Sequence, residues 1–312
     1  MELMDVLKDV TFGAPLQWKS LQVFPLVQPN GHAPTYALID DLLDHNQAEI
    51  REVSEGGSVP TISVLNHSDV DALILDGTEL RGAKQNRMVN VTVIIGKHSE
   101  TPIPVSCVER GRWAYRSRGF ASSKRTVASK LRNRKAHMVA ESLARTKRAA
   151  TDQGKVWAHV DSYIKGSEAH SPTAAFEDAY AQRESTTEEY LTHLQDVDAY
   201  GAIVAINGEL IALDLVDHRQ TFKRLWAMLL RGYAFDASLD AGAAAQPLTA
   251  EAVDSWLRKT AANATIVSQA LTGVGEYYSV ASNGGTGDRV AGGVAVHAGR
   301  VVHVALFPST AQ

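Results

Sequence analysis

The sequence predicts one α+β domain: a β-sheet or barrel-like core built from N- and C-terminal strands, with a helical middle segment and an inserted Asn-Gly hairpin. Three observations carry this. Short β-branched segments bounded by Gly, Pro, Asn or Asp fill residues 20–115 and return over residues 274–308. Residues 122–196 change to helical spacing. Within residues 201–263, two apolar runs flank Asn207-Gly208, the signature of a two-residue β-hairpin turn. No linker rich in Pro, Ser or Gly is long enough to divide the 312 residues, so residues 1–312 read as a single domain.

In the first third, Leu21 to Val27, Thr61 to Leu65, Leu73 to Leu75, Val89 to Ile95 and Ile103 to Val108 are the expected strands. Val89, Val91, Val93 and Ile95 alternate with Asn90 and Thr92, the period of a half-buried strand. From Ser122 to about Lys165, Val127, Leu131, Val139, Leu143, Val156 and Val160 recur at helical spacing, and Gly154 is expected to break or kink the run. Ser171-Pro172 suits a helix start, and Thr186 with Glu189 three residues on fits a capping box. The hairpin Ala202–Ile206 and Glu209–Leu213 leads to an amphipathic helix, about Gln220 to Tyr233. A loop from Ala241 to Gln246 precedes a helix capped by Thr249. Val294 to His297 and Val301 to Phe307, joined by Ala298-Gly299, close the chain.

Composition excludes several classes of protein. With 45% hydrophobic and 21% charged residues, the chain can bury a core. A net charge of −4 does not make the whole molecule a polyanion binder. The one cysteine, Cys107, cannot form an intrachain disulfide. No apolar stretch approaches the roughly 18 residues of a membrane helix, and the N-terminus lacks a signal-peptide pattern, so a cytoplasmic location is expected. The eleven histidines show no metal-ligand spacing, and no structural metal is expected, although a Mg²⁺ ion bridging carboxylates and a phosphate would leave no motif.

Chemistry concentrates between Asp76 and Trp113. Glu79 and Glu109 are candidate acid/base carboxylates, and Cys107 is a candidate nucleophile whose parity with Val105 places it on the core face. Lys84, Arg87 and Arg112 suit phosphate or carboxylate oxygens, Gln85 and Asn86 suit a base, amide or ribose hydroxyl, and Trp113 suits a ring. A hairpin closing around Lys97 to Thr101 would set Val91 opposite Cys107 and Val89 opposite Glu109. Its face would be apolar in the middle and charged at its end, through Gln85, Arg87 and Glu109.

Two other features compete. Arg110 to Arg148 holds thirteen Lys or Arg against the single acid Glu141, which is either a nucleic-acid face or, the favoured reading, a set of internal ion pairs with the acidic stretch Glu177 to Asp217. Asn283-Gly-Gly-Thr-Gly-Asp288 reads as a hairpin loop, because it lacks the Gly-Lys-Ser/Thr of a phosphate loop. His303 shares parity with Val301 and Phe307 and reads as a core histidine.

Leu80-Arg-Gly-Ala-Lys-Gln-Asn-Arg87 and Ile103-Pro-Val-Ser-Cys-Val-Glu-Arg-Gly-Arg-Trp113 resemble the core motifs of the ARG and rhodanese–phosphatase-superfamily-associated protein family. Asp152-Gln153, Val156-Trp157 and the closing Val301-Val-His-Val-Ala-Leu-Phe307 resemble its later segments. The resemblance implies a link to NAD and ADP-ribose metabolism and supports the site at Glu79, Lys84, Gln85, Arg87, Cys107, Glu109, Arg112 and Trp113. The expectation is a pocket for a small anionic, nucleotide or ADP-ribose-like ligand, in a hydrolase or transferase. The alternatives are a non-catalytic sensor or adaptor, an assembly protein acting as a homo-oligomer, and a nucleic-acid binder through residues 110–148.

Overall fold

A computed structural model describes residues 2–28, 33–240, 246–282 and 289–309. The Gly-rich segment Asn283–Asp288 and most of the Ala241–Gln246 loop lie outside the described residues.

The strands form two main bodies. The larger is a sheet of β1 (Thr11–Phe12), β2 (Leu16–Trp18), β3 (Leu21–Val27), β13 (Gly201–Ile206), β14 (Glu209–Val216), β15 (Ala264–Thr272), β16 (Gly275–Ser282), β17 (Val290–His297) and β18 (Arg300–Pro308). Its order is β1-β3-β13-β14-β18-β17-β16-β15, with β2 beside β3. The Asn-Gly hairpin therefore joins N-terminal to C-terminal strands. Asn207 (φ 49°) and Gly208 (φ 73°) both take the left-handed conformation that this turn requires.

The sheet is covered on both faces. Ala202, Val204 and Ile206 pack with α6 (Glu184–Leu194) and α7 (Arg219–Leu239), while Ile203 and Ala205 pack with α1 (Leu3–Leu7) and α8 (Ala250–Asn263). Burial on both sides explains why β13 reads as an unbroken apolar run.

The second body is a closed barrel, β11-β6-β5-β12-β8-β9, made of β5 (Ala48–Glu52), β6 (Thr61–Asn66), β8 (Thr78–Gly82), β9 (Arg87–Val89), β11 (Ser99–Cys107) and β12 (Phe120–Thr126). Ile50, Ile62, Val64, Leu80, Val89, Ile103, Val105 and Phe120 form its interior, each stabilising the fold by ~1.5–3 kcal/mol when removed from water. A small sheet of β4 (Tyr36–Leu38), β7 (Asp71–Ile74) and β10 (Val93–Ile95) lies alongside. The short helix α2 (Ile39–Asp44) adds Ile39 and Leu42 to the barrel's core.

Several expectations change. Phe120–Thr126 is a strand, not the start of a helix. The helical run is broken at residues 147–152 rather than at Gly154: α3 (Ser129–Thr146) ends with Lys147 in the left-handed conformation, and α4 (Gln153–Ser167) begins under the Asp152 cap. Ser171-Pro172 forms a turn before α5 (Phe176–Gln182), where the Ser171 hydroxyl accepts from Ala175 N–H. Thr186 lies inside α6, which starts at Glu184 without a side-chain cap. Val89 to Ile95 is not one strand: β9 belongs to the barrel and β10 to the small sheet. Among the described residues, no helix is long and apolar enough to cross a membrane.

Candidate functional site

The register at β9 and β11 differs from the expected hairpin. Cys107 lies opposite Arg87, and Val105 opposite Val89. This shift of pairing is an even number of residues, so the face-sharing argument survives it: Arg87, Val89, Val105 and Cys107 share one face, and that face is the barrel's interior. Leu80 is Arg87's other neighbour, and Glu52 ends the β5 face that carries Ile50. The barrel's mouth is thus Arg87, Glu52 and Cys107 above an apolar lumen.

Arg87 is fully buried. Its Nη1 donates to the Gln85 carbonyl (3.0 Å) and to Gln85 Oε1 (3.3 Å), and its Nη2 stands 3.6 Å from Glu52 Oε1. Arg87 Nε and Nη2, and Glu52 Oε2, have no hydrogen-bond partner among the described residues. Cys107 is buried beside them. Burial pushes its thiol up to about 11 despite the opposing Arg87 charge, so near neutral pH it is a thiol, not a thiolate nucleophile.

A roof of Lys84, Trp113 and Tyr115 covers this group. Trp113 and Tyr115 are about half exposed, at 46% and 51%. Lys84 Nζ sits 5.4 Å from the Trp113 ring centre and 5.1 Å from that of Tyr115, and Arg87's guanidinium lies 5.6 Å from the Trp113 ring. Gly57 (φ 74°) lets the chain close over them: a Cβ there would stand 3.1 Å from Lys84 Cδ and 3.3 Å from both Glu52 Oε2 and Trp113 Cζ2.

Glu109 has a different task. Its Oε1 accepts from Arg112 Nε (2.9 Å) and Thr173 Oγ1 (2.8 Å), and its Oε2 from Arg112 Nη2 (2.6 Å) and Asn86 N–H (3.0 Å). Burial alone would raise its pKa, but the bonds from Arg112, Thr173 and Asn86 hold it below the usual carboxylate range. Arg112 is equally occupied, reaching the carbonyls of Ala83, Ala114 and Gly82. Asn86 donates to Glu177. These bonds clamp the loop before β9 to the loop after β11. Gln153, the first residue of α4, completes the edge by exchanging two 2.8 Å hydrogen bonds with the Cys107 backbone.

Glu79 does not join Glu109 or Arg87. It faces outward, opposite in parity to lumen-facing Leu80, and pairs with Arg125 (2.6 Å), whose guanidinium stacks 4.1 Å over Tyr180. Burial raises its pKa.

Sequence reasoning missed Glu52 and Tyr115. It also missed a buried network between the two bodies. Arg132 of α3 bonds both oxygens of Asp214 (2.9 and 2.8 Å) and Asp76 (3.0 Å), and Lys135 pairs with Asp76. His303 lies 3.1 Å from Asp214 and 2.8 Å from Thr92 Oγ1, and Tyr233 donates to Asp214. His303 is thus a core histidine, though a polar one. Ligand atoms of Asp76, Asp214 and His303 gather within 4.8 Å of one another, but two carboxylates already face two buried cations, which leaves little field for a third. Despite its burial, Asp76 is held down at about 2 by Arg132 and Lys135. The signal was present in the sequence: Arg132 and Lys135 fall within the apolar stripe of Leu131, Ala136 and Val139.

The basic segment is largely paired internally. Arg110, Arg112, Arg116, Lys124, Arg125, Lys130, Arg132, Lys135 and Arg145 each have an acidic partner, although only Glu177 and Asp214 come from the acidic stretch expected to face them.

Fold and site together define an α+β protein with a closed six-stranded barrel whose mouth holds a buried arginine under an aromatic roof. The chain belongs to the ARG and Rhodanese-Phosphatase-superfamily-associated Protein (ARPP-1) family, whose sequence profile matches residues 9–307. Comparison with curated proteins and with solved structures found no match.

Proposed function

We propose that the barrel mouth binds a small anionic ligand of the nucleotide or ADP-ribose type. Its ring stacks on Trp113 or Tyr115, and its phosphate oxygens meet Lys84 and, once the roof shifts, Arg87. The observation that carries this reading is Arg87 itself: a buried guanidinium whose Nε and Nη2 have no hydrogen-bond partner among the described residues, with only the 3.6 Å ion pair to Glu52 at Nη2, 5.6 Å from the ring of a half-exposed tryptophan. Leaving buried donors unmatched costs ~1–3 kcal/mol or more for a charged group. A phosphate accepting two parallel N–H bonds would recover that cost.

The reading favours binding over nucleophilic chemistry at Cys107, whose proton is firmly held. Glu109 is occupied by Arg112, and Glu79 faces the helices. If the site turns its ligand over, Glu52 is the carboxylate placed to activate water, since its Oε2 is uncommitted among the described residues.

Calorimetry and tryptophan fluorescence with ADP-ribose, NAD and ATP test the proposal. Saturable binding that quenches fluorescence and weakens by roughly tenfold or more in Lys84→Ala and Trp113→Ala is expected, since a charge-assisted contact contributes ~1.5–3 kcal/mol. Equal affinity in wild type and both variants, or no binding by any of the three, refutes it.

A further inference from the structure

Arg87 has no exposure, so any ligand that reaches it must first displace what covers it. The cover has two parts. One is the turn between β5 and β6, residues 53–60, with Gly56 and Gly57 in its middle; the other is the loop after β11 that carries Trp113 and Tyr115. Neither is anchored by a buried apolar side chain of its own: Val53, Val59, Trp113 and Tyr115 are all exposed.

Lys84 is where the two parts meet, and it belongs to neither, since it comes from the turn between β8 and β9. Its Nζ donates to the Gly56 carbonyl at 2.9 Å on one side, and on the other lies 5.4 and 5.1 Å from the ring centres of Trp113 and Tyr115. Its own N–H donates to Glu52 Oε1 (3.3 Å), which fixes where the side chain starts. Its stem lies against Gly57, where an added Cβ would stand 3.1 Å from Lys84 Cδ. Between the two parts themselves, the Tyr115 hydroxyl meets the Glu55 carbonyl only at 3.4 Å. An ammonium suits this position, because its three donors and its charge serve a carbonyl and two rings at once. Each such contact is modest, so the cover can open without unfolding the barrel.

We propose that Lys84 is a latch: its ammonium ties the turn of residues 53–60 to the Trp113 loop and keeps the barrel mouth shut over Arg87. Access to the mouth is then set by one side chain. The inference rests on the binding proposed above for its purpose, but its test uses no ligand, so either can fail while the other stands.

Cys107 reports on the cover. It is the one cysteine of the chain, it lies opposite Arg87 in the ladder, and its Sγ donates to the Val59 carbonyl at 4.0 Å, so the turn of residues 53–60 lies against the thiol. Labelling of the full chain with DTNB, alongside urea unfolding of the same variants, measures the opening. Lys84→Met keeps the stem and removes the ammonium; Trp113→Leu removes a ring that the ammonium touches. Both should label roughly fivefold faster than wild type or more, at a rate almost independent of low urea, the mark of a local opening rather than global unfolding. Removing a cation near a thiol tends to slow its reaction, so acceleration reads access and not reactivity. Lys124→Met is the control and should label at the wild-type rate: Lys124 pairs with Asp44 towards the other end of the barrel, beyond the Ser122–Leu80 pair. Trp113 is half exposed, so its variant carries the test if Lys84→Met does not fold. The proposal is overturned if the folded variants label no faster than wild type, if their labelling tracks global stability across urea, or if Lys124→Met accelerates it equally.

Discussion

Replacing Arg132 with methionine removes a guanidinium that holds Asp76 and Asp214 together across the two strand bodies. Three hydrogen bonds go at once, at 2.9, 2.8 and 3.0 Å, all from a side chain with no exposure. Lys135 still neutralises Asp76, but Asp214 is left with His303 and Tyr233. Breaking a buried pair by removing one partner costs ~3–5 kcal/mol, because the remaining charge is uncompensated. For a chain of 312 residues, with an unfolding entropy of about 2.1 cal/mol/K per residue, that is a melting-point fall of roughly 5–8 °C.

The pH dependence sharpens the test. In the wild type, the folded pKa of Asp76 lies at about 2 and that of Asp214 is also depressed, both below their unfolded values. Their contribution is therefore present above the unfolded pKa and is lost as pH falls through the folded values. For Asp76 it amounts to about 2 kcal/mol. In Arg132→Met, protonation instead relieves a buried, unpaired carboxylate. The deficit relative to wild type should be largest at pH 7 and shrink towards pH 3. Urea denaturation across that range measures it. A deficit below about 1 kcal/mol at pH 7, or one that is constant with pH, would refute the account of the network.

Two further outcomes follow from particular contacts. Gly77→Ala should destabilise the protein by roughly 1–3 kcal/mol, because Gly77 has φ 78° and an added Cβ would stand 2.7 Å from Arg132 Cγ and Cδ; an unchanged melting point would contradict this packing. Cys107 should react with a thiol reagent such as DTNB only at the rate of unfolding at pH 8, since it is buried with its pKa pushed up to about 11. Labelling at the rate of a free thiol would show that the barrel mouth opens readily.

Elements that depend on neighbouring residues were readable from the chain. The Asn207-Gly208 turn, the amphipathic helix α7 and the Thr249 cap, whose side chain accepts from Ala252 N–H, all express local chemistry. Ala48–Glu52 was not readable: Ala-Glu-Ile-Arg-Glu has little β character, and it becomes a strand through its ladder with Thr61–Asn66. Phe120–Thr126 resembled the start of a helix because Ser, Lys and Arg fill it, yet closing the barrel requires it beside β8. The capping-box pattern at Thr186 failed because the preceding turn let α6 begin earlier, at Glu184.

The candidate site divides along the same line. Residue types and strand parity were enough to put Arg87 and Cys107 on one apolar face, because side-chain alternation survives any even shift of register, but the same parity also put Glu109 there, and Glu109 turns to Arg112 instead. They could not say which carboxylate is uncommitted. Glu109 and Glu52 have the same chemistry in the sequence, but the loop after β11 folds Arg112 back onto Glu109, while the barrel brings Glu52 from β5 to Arg87. Local sequence determines periodicity and turn geometry. Which distant charges meet, Glu52 with Arg87 or Arg132 with Asp214, is set by closure of the barrel and its docking on the large sheet, since those contacts join residues far apart in the chain.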